Sequence, residues 1–191
     1  MKEVKIGNQI WMAENLNVDK FRNGDPIPQA KTNEEWEKAG KMKKPVWCYY
    51  DNDPSNGKLY GKLYNWYAVN DKRELAPKGW HISSHQEWDK LVEFLGGGDE
   101  AGKKLKAKYG YQKDGGYNGN GSDEFCFSAL PGGYRYLNGL FTKVGRFAMW
   151  WCSTEDNATN AWIRDMGYDG DYVARGTISK SLGNYIRCLK D

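Results

Sequence analysis

The hydrophobic positions of the chain change period about two-thirds of the way along. Near the start, Val4, Ile6, Ile10 and Met12 alternate loosely around Gly7-Asn8, the pattern of a β-hairpin closed by a tight turn. Thr32-Asn-Glu-Glu35 has capping-box spacing, the hydroxyl taking an orphan amide and the carboxylate reaching back, and predicts a short helix to about Gly40. Pro45 opens the extended run Val46-Trp-Cys-Tyr-Tyr50, which ends in the turn-rich residues 51–57. Leu59, Leu63 and Trp66 recur at helical spacing, with Tyr60, Tyr64 and Tyr67 as a second stripe, and predict a helix over 59–70. A second capping box, Ser84-His-Gln-Glu87, precedes Trp88, Leu91, Val92 and Leu95 at i, i+3, i+4 and i+7, and Gly96-Gly-Gly98 stops that helix. Asp99 can cap a further short helical turn through Leu105, and residues 109–122 read as a long surface loop of Gly, Asn, Asp and Tyr.

From Phe125 onward the apolar pieces become short and separated by turns, at 125–130, 134–136, 140–142, 147–153, 161–166 and 185–189. Strands late and helices early predict an α+β fold with a mostly antiparallel sheet, in a single domain over residues 1–191. The N-terminal hairpin and the last strand are natural partners, because both need an edge covered.

Composition narrows the function classes. The 28 basic residues are interspersed with 25 acidic ones, so the net charge of +3 demands neither a nucleic-acid nor a lipid partner. No apolar run approaches the roughly 18 residues of a membrane span. Cys48, Cys126, Cys152 and Cys188 form no C-x-x-C pair, and only His81 and His85 could complete a metal site, so zinc is not expected. Buried free thiols and two disulfides both stay open. Residues 1–8 lack the features of a signal peptide; either export by that route is not used or a leader is not part of this sequence. Localisation therefore stays unknown, with cell surface, secreted and viral-particle locations all open.

The order of motifs then becomes informative. Ile6-Gly-Asn-Gln-Ile-Trp-Met-Ala-Glu-Asn-Leu-Asn17, Tyr60-Gly-Lys-Leu-Tyr-Asn-Trp-Tyr67, Pro77-Lys-Gly-Trp-His81 before Glu87-Trp88, Ala129-Leu-Pro-Gly-Gly-Tyr-Arg135, Trp150-Trp-Cys-Ser-Thr-Glu155 and Ile186-Arg-Cys188 span nearly the whole chain. Together they resemble the Fibrobacter succinogenes major paralogous domain family. That resemblance implies a C-type-lectin-like fold, related in architecture to formylglycine-generating enzymes. The chain departs from the family pattern at Ala76, where a cysteine is common, and at Cys152, where serine is usual. The first departure leaves Cys188 without its implied partner.

Several chemistries can be weighed against this background. The tripeptides with which C-type lectins hold calcium are absent, and Asp51-Asn-Asp53 and Asp169-Gly-Asp171 read as solvated turns. An oxidase like the formylglycine generators needs a converging cysteine pair; Cys126 and Cys152 have the apolar flanks of inert buried thiols. His81 and His85 sit where ordinary hydrogen bonding suffices. No catalytic constellation, metal site or cofactor is expected.

The remaining signal lies near the C-terminus. In the related variable proteins of diversity-generating retroelements, randomised adenine codons cannot yield Lys, Glu, Gln, Met or Trp, and in residues 163–185 only Met166 and Lys180 belong to those types. Ile163, Asp165, Gly167, Asp169, Gly170, Asp171, Ala174, Gly176, Thr177, Ile178, Ser179, Ser181 and Leu182 fit the permitted set, and Tyr168 and Tyr172 are the expected contact anchors. A plain surface loop has a similar composition. The leading expectation is a non-enzymatic module presenting this surface to an unknown protein or glycan ligand, on a scaffold of Trp11, Trp66, Trp80, Trp88, Trp150, Trp151 and Trp162. The alternatives are a carbohydrate- or protein-binding domain without diversification, using the aromatic loop at 109–117, and, behind both, an oxidase.

Overall fold

The computed structural model describes residues 2–191, Asp114 through its backbone alone; Met1, part of the segment read for a leader, lies outside the described residues. The chain opens with the antiparallel hairpin β1 (Glu3–Ile6) and β2 (Gln9–Met12), turned at Gly7 with φ 60°. Thr32 caps α1 (Asn33–Lys41) with both halves of the capping box in place. The run at 46–50 is extended only in β3 (Trp47–Cys48), and Tyr50–Asn52 closes it as a 3-10 turn.

The helix predicted over 59–70 does not form as one element. α2 (Pro54–Tyr60) starts earlier, at Asp53, whose side chain accepts the Ser55 amide. It ends at Gly61, whose φ of 81° no helix continues through. β4 (Leu63–Tyr64) then pairs with β3, and α3 (Trp66–Val69) is a single turn capped by Asn65. The aromatic spacing was compatible with one helix, but the backbone reversal at Gly61 uses it to bury Leu63, Tyr64 and Trp66 from different elements.

β5 (Trp80–Ile82) precedes α4 (His85–Phe94), which carries the predicted Ser84–Glu87 capping box. α5 (Gly98–Leu105) begins at Gly97, so Asp99 lies inside its first turn rather than capping it. The loop at 109–122 contains the small hairpin β6 (Lys113–Asp114) and β7 (Tyr117–Asn118). Residues 125–130 are not a strand: Cys126 and Ser128 have φ of 56° and 53°, and the only ladder contact there is a bridge from Ala129 to Lys106. β8 (Gly132–Arg135) and β9 (Phe141–Val144) form a hairpin. β10 (Phe147–Glu155), β11 (Asn160–Gly167) and β12 (Ala174–Ser179) form a three-stranded antiparallel sheet, of which β12 was not predicted. The last strand, β13 (Cys188–Lys190), joins β2 and β5 in a four-stranded sheet, as the exposed hairpin edge required. The architecture is thus mixed α+β, with its helices early in the chain and antiparallel sheets.

Strand alternation splits the core in two. Trp150 and Trp151 are neighbours on β10 and point to opposite sides. Trp150 packs with Trp11, Trp88 and Phe127, with the Trp11–Trp88 rings 4.9 Å and the Trp88–Trp150 rings 5.5 Å apart. Trp151 packs with Tyr64, Trp66, Trp80 and Ile186. Their indole N–H groups donate to the Asn15 side chain and the Tyr64 carbonyl, both at 2.8 Å, so neither ring is buried with an orphan donor. Trp162 alone of the seven expected scaffold tryptophans stays half-buried, its ring 4.1 Å from that of His85. Trp36 and Trp47, not singled out from the sequence, are equally core residues.

Candidate binding face

The C-terminal segment is organised by the β11–β12 ladder, which sets Ile163 opposite Gly176 and Asp165 opposite Ala174. β11 is the central strand, and both of its faces are covered. Met166 packs into the Trp88 side of the core, Ile163 and Leu182 into the Trp151 side. Ile163, Gly167 and Leu182, expected on the contact surface, are therefore buried and cannot meet a ligand. Codon class carries no information about which side of a strand a residue occupies. Asp165, Tyr168, Gly170, Asp171, Ala174, Gly176, Thr177, Ile178, Ser179 and Ser181 are partly covered, while Asp169 and Tyr172 are exposed.

The turn between β11 and β12 is fixed from beneath by Lys106, a fully buried lysine at the end of α5. Its ammonium donates to the carbonyls of Gly170 at 2.7 Å and Gly167 at 3.3 Å and lies 3.6 Å from the Asp171 carboxylate. Burial pushes the Lys106 pKa down, and Asp171 opposes that shift. α5 adds two backbone bonds, from the Lys103 amide to the Asp171 carbonyl and from the Val173 amide to the Gly98 carbonyl. Gly102 permits this approach, since a Cβ there would lie 2.5 Å from the carbonyl oxygens of Asp171 and Tyr172.

The two surfaces considered separately from the sequence meet on this turn. The Tyr117 hydroxyl, from the β6–β7 hairpin, donates to Asp171 at 2.6 Å, and the Tyr172 hydroxyl donates to Asp169 at 3.1 Å. Burial together with the Asp171 contact holds the Tyr117 phenol up at about 12, and burial with Asp169 raises Tyr172. Beside them, Tyr168 packs edge-on against Phe147 and carries the Arg146 guanidinium 5.1 Å from its ring centre. Asp165 sits deeper, and burial with Asp169 nearby raises its carboxyl to about 6. The result is a tyrosine face with three aspartates among its side chains, over a buried lysine.

The other candidates are placed as follows. Cys48, Cys152 and Cys188 are buried free thiols, and burial pushes each up to about 12. Cys126, expected to be buried, is exposed because the backbone turns outward where a strand was predicted. His81 is held on both nitrogens, by Glu87 at 2.9 Å and Asp191 at 2.8 Å. His85 contacts Arg164 and Asp89. Asp53 caps α2, while Asp169 and Asp171 accept the tyrosine hydroxyls, which gives each carboxylate a local role. Among the described residues, no three His, Cys, Asp or Glu side chains form a group able to hold a metal ion.

The motif order that runs from β1 to β13 has a counterpart in known sequences: the family model of the Fibrobacter succinogenes major domain matches residues 4–190. The chain belongs to the Fibrobacter succinogenes major domain family. No curated protein and no solved structure matches it. In this family member no described helix is long and apolar enough to cross a membrane.

Sequence reasoning missed Lys106, the residue that positions the face. It follows Lys103 and Lys104, and the run looks like one solvated basic stretch. No residue pattern sets it apart; it is the structure that buries Ala101 and Leu105 on α5 and sends Lys106 off the helix end on an extended backbone with ψ 140°.

Proposed function

We propose that this domain is a non-enzymatic binding module that engages a protein or glycan ligand through Tyr117, Asp169, Asp171 and Tyr172. One observation carries the reading: two tyrosines from separate loops each have a hydroxyl fixed by an aspartate, on a turn stapled from below by Lys106. Rings held in place offer contact area without losing further rotamer freedom on binding. Carboxylates beside ring faces suit a hydroxyl-rich or cationic partner surface. The family resemblance supports a lectin-like scaffold for such a role, and loop change on a rigid frame would alter specificity without disturbing the core.

The test compares the wild-type chain with a Tyr117→Ala, Tyr172→Ala double variant on glycan and basic-peptide arrays. A ligand class lost in the double variant, with the melting temperature lowered by no more than about 4 °C, is the expected result. Equal binding by both proteins would remove the proposal. Diversification by a retroelement is a finer proposition, supported by the codon classes of residues 163–185 and confined to the positions that are not buried. A near-copy of the coding DNA beside a reverse transcriptase, differing mainly at adenines, is the expected sign; a locus without one ends the idea.

A further inference from the structure

A second site lies away from the tyrosine face. Between the N-terminal hairpin, α2 and residues 126–130 is a cavity of about 670 Å³, inside the range of roughly 300–1,000 Å³ typical of small-molecule sites. Its buried charged member is Arg187, which is 1% exposed. The Nε of Arg187 donates to the Asn15 side chain at 3.0 Å, and Nη1 donates to the carbonyls of Met12 at 3.1 Å and Phe127 at 2.6 Å. Nη2 has no acceptor among the described residues, and no carboxylate pairs with the group.

Among the other buried cations, Lys62 also lacks a carboxylate, but its ammonium donates to the Asn17 carbonyl and side chain and lies over the Trp47 ring. Arg164 has Asp89, Lys180 has Glu155 and Lys106 has Asp171. Arg135 also lacks a carboxylate, but all three of its nitrogens are taken by oxygen acceptors. Arg187 is stabilised by the Phe127 ring, 4.3 Å from its guanidinium carbon, which leaves Nη2 available. Burial lowers its pKa to about 9, so the charge persists at neutral pH.

We infer that this cavity binds a small organic carboxylate, with the Arg187 guanidinium as its anchor and Lys58 as a second cation at its edge. The charge of the lining favours a monoanion. Its two carboxylates are already engaged, Glu14 with Lys2 at 3.5 Å and Glu3 with Lys190 at 2.8 Å, so that among the described residues neither Arg187 nor Lys58 has a carboxylate within 4 Å, and Asp123 and Glu14 act on Arg187 only from further off. A dianion would meet the field of those glutamates at the mouth. The Ser128 hydroxyl, whose proton goes to Asp123 at 2.8 Å, can still accept a hydrogen bond from a polar body, and Leu59 and Leu130 offer it an apolar wall.

Cys126 lines the same cavity and is the one exposed thiol, so it can report on the site chemically. Its thiolate displaces iodide from iodoacetate or iodoacetamide, forming an S–C bond and releasing I⁻; the reagents differ in the negative charge that the site should attract. In the folded protein, the iodoacetate-to-iodoacetamide rate ratio at Cys126 should exceed that of 2-mercaptoethanol by about fivefold or more. Sodium acetate at millimolar concentration should slow the reaction, whereas sodium chloride at the same ionic strength should not. Arg187→Lys, which removes Nη2, should abolish the excess ratio. Should that variant fail to fold, Lys58→Glu at the exposed edge should still lower the ratio by about threefold. A ratio equal to that of the free thiol, protection by chloride equal to that by acetate, or an unchanged ratio in Lys58→Glu would each overturn the inference.

Discussion

Lys106 and Arg187 are both buried cations, yet they do opposite things. Lys106 has Asp171 and two carbonyls around its ammonium, and the β11–β12 turn closes over it. Arg187 has two carbonyls, an amide oxygen and an aromatic ring, but no carboxylate, and one of its nitrogens is left over. A buried charge that finds its counter-ion inside the protein fixes the segment that supplies it. One that does not, and that keeps a donor free as Arg187 keeps Nη2, has a capacity for an anion from outside. The first arrangement builds the tyrosine face, and the second builds the cavity.

Three measurements can break or sharpen this contrast. The largest effect belongs to Arg187→Met, which takes the guanidinium donors away from the Met12 and Phe127 carbonyls and leaves the Asn15 amide oxygen with the Trp150 indole alone. A loss of about 3–5 kcal/mol in urea unfolding is expected. A loss below about 1 kcal/mol would show that the guanidinium is not part of the core and would dissolve the comparison. Lys106→Met should cost less, about 2–3 kcal/mol, because the ammonium is lost but the turn keeps its two backbone bonds to α5. Its distinctive sign is local: amide hydrogen exchange should quicken in residues 167–172 and leave β10 unchanged. Uniform acceleration would mean that Lys106 supports the whole fold and not the turn.

The smallest effect concerns Asp165. Its folded pKa, raised to about 6 by burial and Asp169, lies above the unfolded carboxylate value, so the native state binds the proton more tightly. Stability should therefore fall as pH rises from about 4 to 6 and stay lowered above that window. Asp165→Asn removes the buried charge and should raise stability by about 1–2 kcal/mol at pH 7.5, with little change near pH 3.5. Denaturant curves at both values check the sign. A destabilised variant at pH 7.5 would show that the carboxylate makes a favourable contact there.

The parts of the fold legible in the sequence are those decided within a few residues. Both capping boxes, the helix at 85–94, the glycine stop after it and the opening hairpin rest on local hydrogen bonds and periodicity, and all stand in the structure. The failures have local causes of another kind. At 59–70 a helical stripe was broken by one positive φ, at Gly61, and at 125–130 an apolar run was turned outward by positive φ at Cys126 and Ser128. β12, with Ala, Arg, Gly, Thr, Ile and Ser, has too little apolar alternation to announce itself and exists because β11 offers a ladder to pair with.

The candidate sites divide in the same way. Tyr168, Tyr172 and the aspartates around them were visible as residue types suited to a contact loop, and so was the tyrosine loop at 109–117. That the two loops share one face, that Ile163, Gly167 and Leu182 lie beneath it, and that Lys106 holds it were decided by packing between residues far apart in the chain. By itself, the order of residues determined the helix starts and stops, the α+β character and the family. Tertiary structure alone decided which cations find a counter-ion, because that depends on distances across the fold, and burial makes a missing partner matter only once water has been excluded.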